Sequence, residues 1–328
     1  MENRNSSVRK ASLFLFFISP VTAELLSGST PPLQFFNPFV FTILVAFYGC
    51  GAIIMRELKV QWGKNYASLL ILGMAYGIIE EGLAVKSFFD PNWVDLGILG
   101  VYGRWIGINW VWCVDLTLFH SVISIVIPIA LTELMYPNIR NTSLVSKRTL
   151  KVLCGIFVAD MAVLAIFLTD YYPPIGYYIA TIIIVFFLMY IAYKFPDKRF
   201  FNGDKMPPSP RKLWGIGLSW IFLNWVIFFN LPYFGIHPVI TIMIGIGLFV
   251  MLCYYLSGFN WKNDTYKLSV ISGVLTFLIV IAILQEIVGV GPDNPAGMSI
   301  VGLAYTAFLF YLKRKISINQ QKIKSHTE

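Results

Sequence analysis

Charge is scarce in this sequence. Asp, Glu, Lys and Arg make up 13% of its 328 residues, about half the ~25% of an ordinary soluble domain. Hydrophobic residues make up 57% and the mean hydropathy is +0.70, so a water-exposed globule of this size could not cover itself with polar side chains. Cysteine is also scarce: Cys50, Cys113, Cys154 and Cys253 have no CxxC or similar partner spacing. A disulfide scaffold and a cysteine metal site are thereby excluded, and the four read as small buried hydrophobes. Histidine occurs three times and there is no HExxH motif. No run alternates apolar and polar residues as a barrel strand does. These absences exclude a soluble enzyme, a disordered chain, a secreted disulfide module and a nucleic-acid binder.

What is present is a series of long apolar runs, each near the ~20 residues a helix needs to cross the hydrocarbon layer. Ten segments qualify: 11–27, 37–55, 66–84, 106–134, 150–169, 175–193, 213–231, 236–257, 267–288 and 295–312. Backbone groups in lipid must be satisfied internally, so the expected fold class is an all-α, multi-pass helix bundle. The bundle is expected as one domain over 1–312, followed by a basic, loose tail over 313–328. If each segment crosses once, all but Lys86 and Arg104 of the 25 Lys and Arg residues fall on one side. The positive-inside rule makes that side cytoplasmic, with both termini there, in the cell membrane. The net charge of +8 then faces the anionic inner leaflet of the bilayer, the expected partner, and calls for no nucleic acid. The sequons at Asn5, Asn141 and Asn263 fall on that side and are expected to be unused. Residues 1–23 have the layout of a signal peptide ending at Ala23, yet the apolar run resumes at Leu25 and favours a retained anchor. The Pro-rich stretch 194–212 reads as a linker.

Ionisable groups inside a membrane are expensive, and their positions mark function. Glu24, Glu80, Glu81, Asp115, Asp170 and Glu286 lie toward the outer ends of their segments, and Asp90, Asp95 and Asp293 in outer loops. His237 opens the eighth segment from outside. In the third segment, Gly73 and Gly77 form a GxxxG pair that admits a close neighbour, and Glu80 and Glu81 continue that face. Two adjacent acids in a low dielectric cannot both ionise cheaply, so the pair is expected to share a proton and to suit acid/base work. The bland alternative is a wet acid pair neutralised by Lys86 or Arg104. In the fourth segment, Asn109, Cys113, Thr117, His120 and Ser124 form one polar stripe. Asp115 points the other way, and Pro128 should kink the helix. His120 reads as a base, a metal ligand, a proton relay or simply a hydrogen-bonded core residue. Between these segments, 85–105 is rich in aromatics, among them Trp93, with Trp112 just beyond. Asp90-Pro91 suggests a short interfacial helix. The stretch reads as a lid over the acids or as an aromatic belt. Arg56-Glu57 is expected to pair at the headgroups, Asp160 has no evident partner, and Asn224 and Asn230 suit interhelical glue.

A Glu-Glu pair on one membrane helix followed by a His on the next resembles the CAAX-protease and bacteriocin-processing family of intramembrane glutamic proteases. The resemblance covers about residues 70–125. That family has a Glu pair followed by Arg, then a Phe…His motif and a later His…Asn motif. Glu80, Glu81 and His120 match in order. Val85 stands at the place of the Arg with Lys86 one residue later, Phe119 is adjacent to His120, and His237 is followed by Thr241 rather than Asn. The resemblance implies a membrane-embedded hydrolase.

Two main readings of function follow. In the first, a hydrolase acts on a peptide, lipid or envelope substrate from the outer side. Glu80 or Glu81 activates water, and His120 with Asn109 carries the proton or stabilises the oxyanion. Lys86, Trp93, Arg104, Trp112, Glu24 and His237 line its pocket, which opens outward beneath 85–105. No cofactor is expected; a zinc version would use His120, His237 and one glutamate. In the second reading, an ion-coupled permease uses the same acids as a proton or cation relay for a small solute. A third reading is a non-catalytic assembly protein.

Overall fold

The computed structural model describes residues 2–196, 200–201, 203–289 and 293–325. Ten long helical stretches coincide with the ten apolar runs. They are α1 (Glu2–Pro20, extended through Val21–Leu25), α2 (Pro38–Gln61), α3 (Tyr66–Ala84), α4 (Trp110–Met135), α5 (Lys147–Phe167), α6 (Ile175–Lys194), α7 (Pro210–Phe234), α8 (Pro238–Ser257), α9 (Asp264–Val288) and α10 (Met298–Ser325). Eight of these, α2 to α9, are long and apolar enough to span a bilayer by length and composition alone. The chain is an all-α, multi-pass membrane bundle. α10 runs on to Ser325 rather than ending with its apolar stretch at Leu312. The linker 194–212 contains residues 197–199 and 202, which lie outside the described residues.

Caps set the helix starts. Side chains of Asn37, Asn65, Ser146 and Asn263 accept backbone N–H groups at the first turns of α2, α3, α5 and α9, satisfying donors with no partner inside the helix. The side chain of Glu286 accepts from Gly297 N at 2.9 Å and Ser299 N at 2.6 Å, and so caps α10.

Two cores meet at α4. One joins α1, α2, α3 and α5 around Phe47, Tyr76 and Leu72; the other joins α4 and α7 to α10 around Trp220, Phe228 and Leu275. Most of α5 and α6 faces outward, as expected of lipid-facing helices. Cys154 on α5 is exposed, a correction to the expectation that all four cysteines are buried; all four are free thiols. Asn224 Nδ2 on α7 donates to Asp115 Oδ1 on α4 at 2.9 Å, so the two opposite faces of α4 are both engaged.

The segment 85–105 does not form the interfacial helix expected at Asp90-Pro91. Asp90 caps a turn instead, accepting from Asn92 N at 2.8 Å, and a short 3₁₀ turn follows at Gly97–Gly100. Arg104–Trp105 then pairs antiparallel with Ile108–Asn109. The two loop residues, Ile106 and Gly107, have φ of 48° and 68°, the left-handed pair of a type I′ hairpin. The turn begins before the aromatic run can complete a helical repeat, and α4 therefore starts at Trp110 rather than 106.

Candidate functional site

Four helices change pitch around one polar cluster, while a fifth such turn, Val226–Asn230 on α7, carries none of its residues. α1 at Val21–Leu25, α2 at Val45–Gly49, α3 at Glu80–Ala84 and α4 at His120–Val126 are each wound as π-helix. Each wide turn carries a polar residue of one cluster: Glu24, Tyr48, Glu80 with Glu81, and His120 with Ser124. π-Turns are rare and concentrate at functional sites, because the extra residue turns a side chain inward while loosening the helical hydrogen bonds. On α4 the cause is legible. Pro128 has no N–H for the carbonyl of Ser124, and Ser19 Oγ of α1 donates to that carbonyl at 3.1 Å instead.

The glycine pair of α3 brings the helices together. A Cβ on Gly77 would meet His120 Cβ at 2.9 Å, and one on Gly73 would meet Ser121 Cα at 2.7 Å. The missing side chains therefore let α4 lie against α3 closely enough for His120 to reach both acids.

His120 is held between the two glutamates. Its Nε2 is 2.9 Å from Glu81 Oε1 and its Nδ1 is 3.1 Å from Glu80 Oε2; Nδ1 also meets Ser124 Oγ at 2.9 Å. All three residues are buried. Glu80 Oε2 has no hydrogen-bond partner among the described residues. The Tyr48 hydroxyl is bonded to both Glu24 Oε1 and Glu80 Oε1. The phenol thus bridges the two carboxyl groups. Thr30 Oγ1 donates to Glu24 Oε2 at 2.6 Å. Ser87 Oγ donates to Glu81 Oε2, and Trp112 Nε1 donates to Ser87 Oγ at 2.9 Å. Two carboxyl groups thus face a single imidazole, and the Tyr48 hydroxyl joins one of them, Glu80, to a third, Glu24.

The structure thus brings Glu24, Glu80, Glu81, His120 and, through Ser87, Trp112 into one cluster. Sequence reasoning missed Tyr48, Thr30 and Ser87, ordinary polar residues on other elements whose spacing to the acids carries no periodic signal.

Other expected members lie elsewhere. Asn109 sits in the hairpin, not on the α4 stripe. Its amide donates to Ser87 O at 3.1 Å and Asp90 O at 3.0 Å, so no N–H is left for an oxyanion. Arg104 donates to Asn109 Oδ1 at 2.6 Å and Phe89 O at 2.8 Å, pinning the hairpin. Lys86 Nζ donates to Ala165 O at 2.7 Å and Thr169 O at 3.1 Å and lies 4.4 Å from the Tyr172 ring centroid. It caps the end of α5, where a cation suits the carbonyl dipoles, although burial lowers its pKa against the pull of Asp90 and Asp170. Neither cation neutralises the acid pair. Trp93 packs against the second core. His237 is an exposed cap on α8, accepting from Val239 N at 3.3 Å.

The zinc set of His120, His237 and one glutamate is therefore not assembled. Glu80, Glu81 and His120 instead each offer one ligand atom, all within 4.8 Å of one another. That donor set suits a divalent cation with an open position.

Access differs from expectation too. Segment 85–105 does not stand over the acids as a shelf. Phe88 N bonds Glu81 O at 3.3 Å, and Ser87, Phe88 and Phe89 are buried, sealing the acid pair directly. Glu24, at the end of α1, is the partly exposed carboxylate of the cluster.

Elsewhere, Asp160 on α5 is buried with Oδ2 lacking a hydrogen-bond partner among the described residues. It lies one turn from Phe157, whose ring is 6.0 Å from that of Tyr76, and the Tyr76 hydroxyl is likewise without a partner.

Comparison with curated proteins and with solved structures yields no match. The model of one family matches residues 13–208, a stretch that holds every member of the cluster and excludes His237. The chain belongs to this family, described as an uncharacterized membrane protein family.

Proposed function

We propose that the protein is a membrane-embedded hydrolase that cleaves an amide or ester bond of a membrane-borne peptide or lipid at the Glu80–Glu81–His120 cluster. The observation that carries this reading is the grip of two buried glutamates on one imidazole, Glu81 at Nε2 and Glu80 at Nδ1. Glu80 takes a proton from water as the water oxygen bonds to the substrate carbonyl carbon. Glu81 holds His120 by Nε2; His120 passes a proton to the departing nitrogen or oxygen as the carbonyl reforms, and Glu80 hands the proton it took from water back to His120 across the 3.1 Å contact to Nδ1. Water has then been added across the bond, and the enzyme returns to its starting protonation. The order of these residues is that of the glutamic proteases to which the sequence is similar, and the chemistry needs no cofactor. A divalent cation on the same three ligands would polarise the carbonyl instead; loss of activity on chelation separates the two.

The finer topology belongs to the same proposal. All ten helices cross the cell membrane, both termini are cytoplasmic, and the cluster lies toward the outer face. A reporter fused after Lys315 should read cytoplasmic; an external signal overturns the topology.

To test the hydrolase, membranes carrying the intact protein or Glu81→Gln at equal levels are compared by mass spectrometry of peptides and lipids. An uncut species should accumulate in the variant. Identical pools would overturn the hydrolase. Proton flux into liposomes that depends on Glu81 would replace it with the permease.

A further inference from the structure

A second site lies at the other end of the bundle, among residues the catalytic proposal does not use. A cavity of about 580 Å³ opens between α3, α4, α7, α8 and α9. Its wall is apolar, with Leu70, Val126, Ala130, Phe249 and Val274 among the lining side chains. Its mouth is polar and lies where the linker strand pairs with the α8–α9 loop: Asn260 N donates to Lys205 O at 2.9 Å. Lys262, Lys267 and Asp204 stand on the lining there.

Three features constrain the occupant. The volume is that of about twenty water-sized units, which matches one long acyl chain rather than a small solute. An apolar space this large is filled in a membrane, because its walls otherwise lose their dispersion partners. The charges at the mouth favour an anion, Lys262, Lys267 and Arg140 outnumbering Asp204 and Asp264 by one. Asp264, the acid nearest Lys267 at 3.5 Å, also bonds Arg140, and Lys262 is exposed with no ion pair among the described residues. The third feature is a donor. Trp220 lines the cavity, is 3% exposed, and its buried Nε1 has no hydrogen-bond partner among the described residues. An occupant carrying a carbonyl oxygen would satisfy it, and plain hydrocarbon would not.

We infer that this cavity binds one anionic phospholipid. The acyl chain lies along α4 and α9, an ester carbonyl accepts from Trp220, and the phosphate sits between Lys262 and Lys267. The arrangement is independent of the hydrolase, since it shares no residue with the acid cluster. Its location at the basic end also matches the leaflet in which anionic lipids are enriched.

The test uses the purified full-length protein in detergent micelles, titrated with phosphatidylglycerol or phosphatidylcholine carrying a dibrominated acyl chain, a contact quencher of tryptophan. Phosphatidylglycerol should quench saturably, at a midpoint at least tenfold below that of phosphatidylcholine, and Trp220→Phe should remove most of the quenched signal. Lys262→Gln with Lys267→Gln should bring the two midpoints together. Equal midpoints in the unaltered protein would overturn the headgroup assignment without any variant having to fold. Quenching undiminished when both Trp220→Phe and Trp261→Phe are present would place the lipid outside the cavity, and Trp261→Phe alone serves should the Trp220 variant fail to fold. Displacement of the bromolipid by glycerol 3-phosphate alone would assign the site to a soluble phosphoester and overturn the lipid.

Discussion

The two ends of the α2–α3–α4 bundle hold buried charge in opposite ways. At the basic end every buried charge has a partner of opposite sign or a row of carbonyls. Lys59 Nζ is 2.7 Å from Glu133 Oε1, and the Tyr66 hydroxyl donates to Glu133 Oε2 at 2.7 Å. Arg56, fully buried, pairs with Glu57 at 3.2 Å and donates to the carbonyls of Ile139 and Thr142 at 2.7 and 3.0 Å. Glu57 in turn accepts from Leu144 N at 2.7 Å and from Ser143 Oγ. At the other end two carboxyl groups share one imidazole, and a third, Glu24, joins them through the Tyr48 hydroxyl. The first arrangement is a clamp that fixes the loop after α4. The second keeps protons and lone pairs available, which a clamp would consume. Buried charge therefore divides here into scaffold and chemistry according to whether it is balanced.

The comparison can be broken from either side. The largest expected effects are paired. His120→Ala should lower the rate of the proposed hydrolysis per folded molecule by about 10²- to 10⁴-fold, the usual worth of a positioned acid/base. Glu133→Ala should leave Lys59 buried without its counter-ion and destabilise by about 3–5 kcal/mol, seen as a lower unfolding temperature and poor membrane yield. If His120→Ala instead fails to accumulate while Glu133→Ala is tolerated, the assignment of the two ends is reversed.

Next in size is Gly77→Ala, whose Cβ would press on His120 Cβ and separate α3 from α4. An overpacked contact of this kind costs about 1–3 kcal/mol, and activity should fall further than stability because the imidazole moves off both acids. Gly155→Ala, on a face with open space beside it, is the control and should change neither.

A smaller effect is expected at the proline-widened turn. Ser19→Ala leaves the carbonyl of Ser124 buried without a donor, about 1–3 kcal/mol by the cost of an unsatisfied group. Asn109→Ala should unpin the hairpin by a similar amount, with the residual activity of the folded fraction intact. A selective loss of turnover in Asn109→Ala would return that residue to the catalytic set.

How much of this was legible beforehand follows from the kind of signal each feature leaves. Long apolar runs report helices directly, so the bundle and the seam at Gly73 and Gly77 could be read from spacing. The meeting of Glu80, Glu81 and His120 was readable because consecutive antiparallel helices bring their facing ends together. Asn109 was misplaced because a helical period was extended backward through Ile106-Gly107, where two positive φ angles make a hairpin. Lys86 and His237 were drawn toward the acids by charge and rarity alone, whereas each is used locally, at a helix end. Tyr48 was invisible because it reaches Glu24 and Glu80 through tertiary packing of α1 on α2, and Thr30 because it reaches Glu24 by an irregular turn after α1, neither of which a periodic pattern encodes. The π-turns escaped for a related reason: only the proline at 128 announces one.

The most direct test replaces one acid with its isosteric amide at each end and compares unfolding of the purified proteins. Glu133→Gln removes the counter-charge of Lys59 and should lower the unfolding temperature markedly. Glu81→Gln relieves an excess of negative charge and should leave that temperature unchanged or raise it, since functional sites trade stability for reactivity. Destabilisation by Glu81→Gln equal to that by Glu133→Gln would contradict the account, because the outer cluster would then be structural glue like the inner one.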